Sequence, residues 1–310
     1  MRAVAVQQFG DAPKLQDVPV PLEDGTFLVH VTYAGVNPID YKSIGRLDAD
    51  SKYPFIVGRD FAGIVDRVSA IEPRLRPGDR VFGFAPTSGT YAEYTAAAPA
   101  VSLIALIPDN VPEEQAAALP VAGLTALGSV QLLGLREGDR FVVTGASGAV
   151  GGYAVQMARA RGAHVIGVVR GDVEEALSLG ADEVYDTENG NAIDRIHKAH
   201  PDGVNAVLDV VSDSEGIREY ARILKKGGKI VSTIGATDAG WFAERQIEAS
   251  NINPANNPAQ THQGLTELVQ MLEVGTIATR VRSIEPLTNA LDVLDRLRDG
   301  TLPGKTVIRV

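Results

Sequence analysis

The sequence predicts an α/β fold: a doubly wound parallel sheet together with a smaller, mostly β domain. Three observations carry that expectation. The first third of the chain is made of short strand-like runs punctuated by glycine and proline, the middle alternates apolar strands with helically spaced segments, and a glycine-rich turn sits where one such strand enters a helix. With 310 residues the chain is about two typical domains long.

In order along the chain, Phe27, Val29, Val31 and Tyr33 alternate with Leu28, His30 and Thr32, which predicts a half-buried strand ending at Gly35. A second strand is expected over Phe61–Val68, after Gly58. Arg76-Pro77-Gly78-Asp79 then has the chemistry of a turn, feeding a strand over Arg80–Phe84. Short strands of this kind suit a small barrel-like domain. Gln115 to Leu135 is uncharged and approaches bilayer-spanning length, but Pro120, Gly123, Gly128 and Gly134, with polar Thr125, Ser129 and Gln131, predict a buried, broken helical region instead.

From about residue 112 the texture changes. Phe141–Thr144 reads as a strand, and Val150, Ala154, Met157, Ala158 and Arg161 follow at helical spacing up to a stop at Gly162. Further strands are expected at Val165–Val169, Ala206–Val211 and Lys229–Ile234. Between the last two, Ile217, Tyr220, Ala221 and Leu224 mark a helix face that stops at Gly227-Gly228. Strand–helix–strand in series implies parallel pairing through right-handed crossovers. Trp241 to Gln263 is polar and rich in Asn, and is expected to be loop with short helices. Leu265, Leu268, Val269 and Leu272 mark one late helix, Leu287, Ala290, Leu291, Leu294 and Leu297 another that closes at Gly300, and the last expected strand is Lys305–Val310.

Composition narrows the function. Lys and Arg total 29 against 39 Asp and Glu, a formal charge of −10, so the chain has no broad electrostatic reason to bind nucleic acid or an anionic membrane. Cysteine is absent, which excludes disulfides, thiolate metal sites and a cysteine nucleophile. The opening apolar run is too short for a signal peptide, and a cytoplasmic location is expected.

The strongest chemical signal is Val143-Thr144-Gly145-Ala146-Ser147-Gly148-Ala149-Val150-Gly151, between a strand and a helix. A pyrophosphate needs bare backbone N–H groups and a positive helix end. Gly148 permits its close approach and Gly151 lets the helix pack tightly on the sheet, with Ala146 where the usual fingerprint has its first glycine. The second strand of such a unit, Val165–Val169, runs directly into Arg170, 19 residues after Gly151. An arginine there favours the 2′-phosphate of NADPH, and Asp172, two residues on, is the competing reading in favour of NADH.

Four segments now occur in a characteristic order: Gly35-Val36-Asn37-Pro38-Ile39-Asp40-Tyr41-Lys42, Gly58-Arg59-Asp60-Phe61-Ala62-Gly63, Leu119-Pro120-Val121-Ala122-Gly123-Leu124-Thr125-Ala126 and the glycine turn. With the ending Gly304-Lys305-Thr306-Val307, they resemble the zinc-independent quinone oxidoreductase branch of the medium-chain dehydrogenase/reductase superfamily over nearly the whole chain. The resemblance implies a GroES-like catalytic domain over residues 1–112, completed by 250–310, and a Rossmann NADP-binding domain over 113–249. It also implies an NADPH-dependent oxidoreductase that passes hydride to a quinone or an α,β-unsaturated carbonyl, acting as a homodimer through the edge of the Rossmann sheet, with Lys229–Ile234 or a nearby strand at that edge.

Zinc enzymes of the superfamily carry a metal-binding Cys where this chain has Asn37 and a His-Glu pair where it has Arg59-Asp60, so the resemblance implies loss of the catalytic metal. His197 and His200 can share a helix face, yet without a third ligand nearby they read as a solvated helix end. His30, His164 and His262 are scattered, and metal analysis is expected to find no stoichiometric zinc. Without a Lewis acid, acceptors that take hydride unaided are favoured.

By resemblance, Asn37 lies at the nicotinamide end and Thr125 near the cofactor. Ser147, Gly148, Ala149, Val150 and Gly151 hold the pyrophosphate, Arg170 the adenosine phosphate, and Thr187 flanks that pocket. Val210, Val211, Ile234 and Gly235 stand at later strand ends, where Val210 and Ile234 serve equally well as core residues, and Lys305 closes the cofactor cleft. Tyr41 is the candidate proton donor, with packing as the competing role. A short-chain dehydrogenase is the nearest structural rival, and it fails because no tyrosine begins a Tyr-x-x-x-Lys pair. The reading from another class is a catalytically weak NADPH-binding sensor or scaffold that keeps the turn.

Overall fold

The computed structural model describes residues 1–21, 25–68, 75–86, 89–98, 101–302 and 304–310. Two units emerge: Met1–Val121 with Thr261–Glu273 and Thr279–Val310, and Ala122–Gln260 with Val274–Ala278. The chain therefore leaves the first unit, builds the second, and comes back.

The outward path begins with β1 (Arg2–Val6), β2 (Lys14–Asp17), β3 (Phe27–Gly35), α1 (Pro38–Ile44), β4 (Phe55–Ile56), β5 (Asp60–Val68), β6 (Arg80–Phe84), β7 (Tyr94–Ala97), β8 (Leu103–Leu106) and α2 (Glu113–Ala117). Next come α3 (Pro120–Leu133), β9 (Arg140–Thr144), α4 (Ala149–Ala160), β10 (His164–Val169), α5 (Val173–Ser178), β11 (Glu183–Asp186), α6 (Ala192–Ala199), β12 (Val204–Asp209), α7 (Gly216–Glu219), β13 (Leu224–Ser232), α8 (Ala239–Ala243) and β14 (Glu248–Asn251). The return is α9 (His262–Glu273), β15 (Val281–Pro286), α10 (Ala290–Arg298) and β16 (Lys305–Arg309).

The first unit holds a sheet in the order β15-β16-β3-β5-β6-β8, with β7 also paired to β3, and a smaller sheet β2-β1-β4. The alternation along β3 and β5 turns Phe27, Val29, Val31, Phe61 and Val65 into one core cluster with Val81 and Ile104. A second cluster gathers Val4, Ala34, Val36 and Tyr91 with Leu287, Ala290, Val293 and Leu294 of the α10 region. The last strand pairs antiparallel with β3, Val307 opposite Gly35 and Ile308 opposite Ala34, so the C-terminal segment lies inside the sheet.

The second unit is a six-stranded sheet in the order β11-β10-β9-β12-β13-β14. All its pairings are parallel. This is the doubly wound arrangement expected from the sequence, with the strand order reversing between β9 and β12. Its apolar runs are buried on both faces, as a covered parallel sheet requires: Phe141, Val142, Val143, Val165, Ile166, Val207, Leu208 and Ile230 are all fully buried.

Several local expectations differ from what is found. The helix expected over Ile217–Leu224 is a single turn, α7, followed by a 3₁₀ turn at Tyr220–Arg222, and Gly227-Gly228 lies within β13 rather than ending a helix. Val204 pairs with Leu224 and Ala206 with Lys229, so the glycine segment bulges out of register, with Gly227 N–H donating to the Gln246 carbonyl. The polar stretch Trp241–Gln263 contains an edge strand, β14. Lys229–Ile234 consequently presents no free edge, because β13 is paired with β12 on one side and β14 on the other. The region Gln115–Leu135 is not broken at its glycines: α3 runs unbroken through Gly123 and Gly128. A side chain at Gly128 would collide with Asn257, so that glycine admits a crossing loop instead of interrupting the helix. Among the described residues, no helix is long and apolar enough to cross a membrane.

Candidate active site

In the second unit the glycine turn follows β9 and opens α4. Gly145 has φ +60° and its Cα faces Val210, where a Cβ would come within 2.8 Å of the valine methyl. Gly148 is the N-cap of α4 with extended backbone and no side-chain cap, so the first amides of the helix are offered outward. A Cβ at Gly148 would meet only the Gly145 carbonyl at 3.2 Å, whereas one at Gly151 would collide with that carbonyl. Gly151 thus lets the turn close on its own helix, which refines the expected role of helix-to-sheet packing. Ala146 is fully buried, while Ser147, Ala149 and Val150 are half-buried and Gly148 is exposed. The residues fit a pyrophosphate: a bare cradle, unsatisfied helix amides and no carboxylate among them.

The neighbouring strand ends are tied together by Asp209. Its buried carboxylate accepts from Thr144 Oγ1 at 2.8 Å and from the Ser212 amide at 3.0 Å, and the Val210 amide donates to Thr144 Oγ1 at 2.9 Å. This clamp joins β9 to β12 where the strand order reverses, the place where such sheets bind ligands. Val210 and Val211 follow β12, and Ile234 and Gly235 follow β13. Val211 is 62% and Ile234 48% exposed, so these side chains are not strand core residues but apolar groups left open at the strand ends. Arg170 follows β10, is exposed, and lies 3.8 Å from the Glu188 carboxylate. Thr187 donates to the Val169 carbonyl at 3.2 Å, which places it beside Arg170. Thr125 is half-buried on α3, and Asp172 is the N-cap of α5.

In the first unit, Asn37, Asp40, Asp60 and Lys305 form a buried polar cluster, none more than 7% exposed. Lys305 Nζ donates to Asn37 Oδ1 at 2.8 Å and to the Val36 carbonyl at 3.0 Å. Asn37 Nδ2 donates to Asp60 Oδ2 at 2.8 Å. An ammonium can only donate and a carboxylate only accept, so the amide of Asn37 has one possible orientation. Asp60 also accepts from the Val121 amide at 3.1 Å. Asp40 Oδ2 accepts from the Asn37 amide at 2.8 Å and from Tyr91 Oη at 2.9 Å, while Asp40 Oδ1 finds no partner among the described residues. Burial pushes the Asp40 carboxyl up to about 7, the Asn37 amide opposing, and Asp60 up to about 6, Lys305 opposing. Burial likewise pulls the Lys305 ammonium below its ordinary value, with Asp60 and Asp40 holding it up. Arg59 reaches Ser43 Oγ at 3.0 Å. The ring of Tyr41 packs against the Val4–Leu294 cluster, the bland role weighed against proton donation.

Asp40 is the buried ionisable member of the cluster that residue-by-residue reading passed over. The signal was present in Asn37-x-x-Asp40, the spacing of a capping box, with the Asp40 carboxylate turned back to the Asn37 amide. The histidines need a correction of a different kind. His164 and His200 are not scattered: both contact Glu183, His164 Nε2 at 2.6 Å and His200 Nε2 at 3.2 Å, whereas His197 is exposed.

A dinucleotide-type turn on a doubly wound sheet, in a chain whose other unit is a small β domain with a buried polar cluster, defines the two-domain class of dehydrogenases and reductases. Comparison with known proteins places the chain within that class. Residues 23–109 match the alcohol dehydrogenase GroES-like domain and residues 149–252 the domain described as zinc-binding dehydrogenase. A quinone oxidoreductase of Mus musculus is 34% identical, the alignment covering 99% of this chain and 96% of that protein. A 2-methylene-furan-3-one reductase of Solanum lycopersicum is 31% identical over 99% of this chain and 79% of its own length. The solved quinone oxidoreductase of Coxiella burnetii superposes with a TM-score of 0.86 at 29% identity, covering 100% of this chain and 99% of that one. A mycobacterial protein solved with NADPH superposes with a TM-score of 0.87 at 26% identity over the whole of both chains. The chain belongs to the quinone oxidoreductase branch of the medium-chain dehydrogenase/reductase superfamily, a family of oxidoreductases that use a nicotinamide cofactor.

Proposed function

We propose that the chain is a zinc-independent, NADPH-dependent oxidoreductase that reduces a quinone or an α,β-unsaturated carbonyl. The observation that carries this reading is the donor set at the positions aligned by resemblance with catalytic zinc ligands. Asn37 and Asp60 are bound to each other, Arg59 is turned to Ser43, and the Lys305 ammonium supplies the cation that neighbours them. Such a set offers no group of three free ligands for a dication. The names of the mouse and tomato relatives support the same pair of acceptor classes.

Ser147, Gly148, Ala149, Val150 and Gly151 would hold the pyrophosphate, and Arg170, with Thr187 beside it, the 2′-phosphate. When bound, the nicotinamide supplies a hydride, and the acceptor must be an electron-poor carbon or a quinone because no Lewis acid polarises it. Val210, Val211, Ile234 and Gly235 would wall the ring and exclude water, and Thr125 would contact the cofactor from α3. Asn37, oriented by Lys305 and Asp60, would position the nicotinamide end. Quinol oxygens take their protons from water, so no side chain has to donate one to them.

The test is an acceptor panel of benzoquinones and enones run with NADPH and with NADH, followed at the nicotinamide absorbance. Turnover with NADPH preferred over NADH is expected. Tight NADPH binding with no turnover on any acceptor would replace this reading by a sensor or scaffold. No step of this reading requires a homodimer, so the assembly expected by resemblance is tested separately by light scattering.

A further inference from the structure

We propose that His164, Glu183 and His200 form a site for a divalent metal ion of the zinc type, separate from the cofactor turn and structural in purpose. The three residues come from three elements: His164 opens β10, Glu183 opens β11 and His200 caps the end of α6. Their donor atoms all lie within 4.8 Å of one another. His164 Nε2 is 2.6 Å from Glu183 Oε1, and His200 Nε2 is 3.2 Å from both carboxylate oxygens. Two imidazoles and one carboxylate make the donor set of a three-ligand zinc site completed by water.

The two histidine–glutamate separations are close to what such an ion needs, and the two imidazole donors lie within 4.8 Å of each other. Ligands at zinc-like bond lengths stand roughly 3.3 Å apart in a tetrahedron. The His200–Glu183 separation of 3.2 Å already meets that. His164 would retreat by roughly 0.7 Å, and its side chain, 40% exposed, has room to do so and leaves an open side for water. Outer contacts of the kind that orient metal ligands are also in place. Tyr185 Oη donates to Glu183 Oε2 at 2.8 Å, and the Asp182 carboxylate lies 3.7 Å from His164 Nδ1. With the metal on Nε2, the proton moves to Nδ1 and faces that carboxylate.

The cluster lies at the starting ends of the parallel strands, and the cofactor turn lies beyond the finishing end of β9. A metal here cannot touch the reacting atoms. Its effect is to pin the end of α6 to the outer strands β10 and β11. Zinc would therefore be found in the purified protein, against the expectation from sequence, without entering the reaction.

The test starts from chelator-stripped protein titrated with zinc against a chromophoric competitor. One zinc per chain is expected, with a rise of several degrees in Tm at saturating excess. His164→Gln and Glu183→Gln should each weaken binding tenfold or more and abolish the Tm rise, while Asp182→Asn weakens binding about tenfold. His262→Ala should bind as the parent does, and His164→Gln should keep the parent rate of NADPH oxidation. Cobalt(II) added to the unmutated protein should give the intense visible bands of a four-coordinate site. Absence of stoichiometric zinc, a six-coordinate cobalt spectrum, or binding unaltered by both His164→Gln and Glu183→Gln would overturn the proposal.

Discussion

Replacing Asp40 by Asn isolates the cost of burying one carboxylate. In the folded chain Asp40 Oδ2 accepts two hydrogen bonds, from the Asn37 amide and Tyr91 Oη, and Oδ1 has no partner among the described residues. Asparagine has the same shape: its carbonyl can take the place of Oδ2 and its amino group that of Oδ1. What disappears is the titration. The carboxyl is raised from 3.8 to about 7 on folding. Between those values the folded chain holds a proton that the unfolded chain has released. Stability therefore falls as pH rises through this window, and the loss is complete above the folded value. The difference between those two values corresponds to ~4 kcal/mol. The gain from the substitution is at most that, because Lys305 loses one of the two carboxylates that support its charge. Asp60, raised to about 6, titrates in both proteins and largely cancels in the difference. Urea unfolding of parent and Asp40→Asn from pH 4 to 8.5 is the assay. The two should be nearly equal at pH 4, with the variant more stable by a few kcal/mol at pH 8. Parallel pH profiles, or a variant weaker at pH 8, would refute the reasoning.

Arg170→Ala should raise KM for NADPH by tenfold or more, the worth of a charge-assisted hydrogen bond to phosphate, and leave KM for NADH nearly unchanged; steady-state kinetics with both cofactors decides it. Gly148→Ala should fold and lose cofactor affinity, since its Cβ asks the Gly145 carbonyl to give by only a few tenths of an ångström, whereas Gly151→Ala should lower Tm much more because its Cβ strikes that carbonyl. Thermal scans alongside cofactor titration separate the two. Tyr41→Phe should leave turnover with a benzoquinone unchanged, as expected of a packing side chain. Lys305→Met should cost about 3 kcal/mol in chemical denaturation, because Asn37 Oδ1 and Asp60 lose their cation inside the protein, and the Asp60 carboxyl should rise further.

Most of the second unit was legible in the sequence, for a physical reason. Buried parallel strands are unbroken apolar runs, and Gly145, Gly148 and Gly162 mark where a turn opens and a helix stops. The edge strand β14 was not legible because it reads Glu-Ala-Ser-Asn and pairs on one side only, so nothing demands an apolar run. The spacing of Ile217, Tyr220 and Leu224 looked helical, but those residues pack from one helical turn, one 3₁₀ turn and a strand. At the candidate site, the glycine turn could be located because its pattern lies in consecutive residues between a strand and a helix. The Asn37–Asp60–Lys305 cluster could be named only through resemblance, since its members are brought together by β16 lying beside β3. The contact of His164 and His200 with Glu183 was invisible for the same reason. It depends on the register that sets Ile166 against Glu183 and on where α6 ends.

The placement of β16 between β15 and β3 makes a strand synthesised after all its partners a central piece of the first unit. While translation is under way, β3 and β5 can pair, but Val307 and Ile308 are still missing from beside them and Asn37 still lacks Lys305. The second unit is contiguous enough to close earlier, apart from Val274–Ala278. Maturation of the polar cluster thereby waits for β16, and a nascent chain halted before Lys305 would carry the doubly wound half with the Asn37 cluster still incomplete.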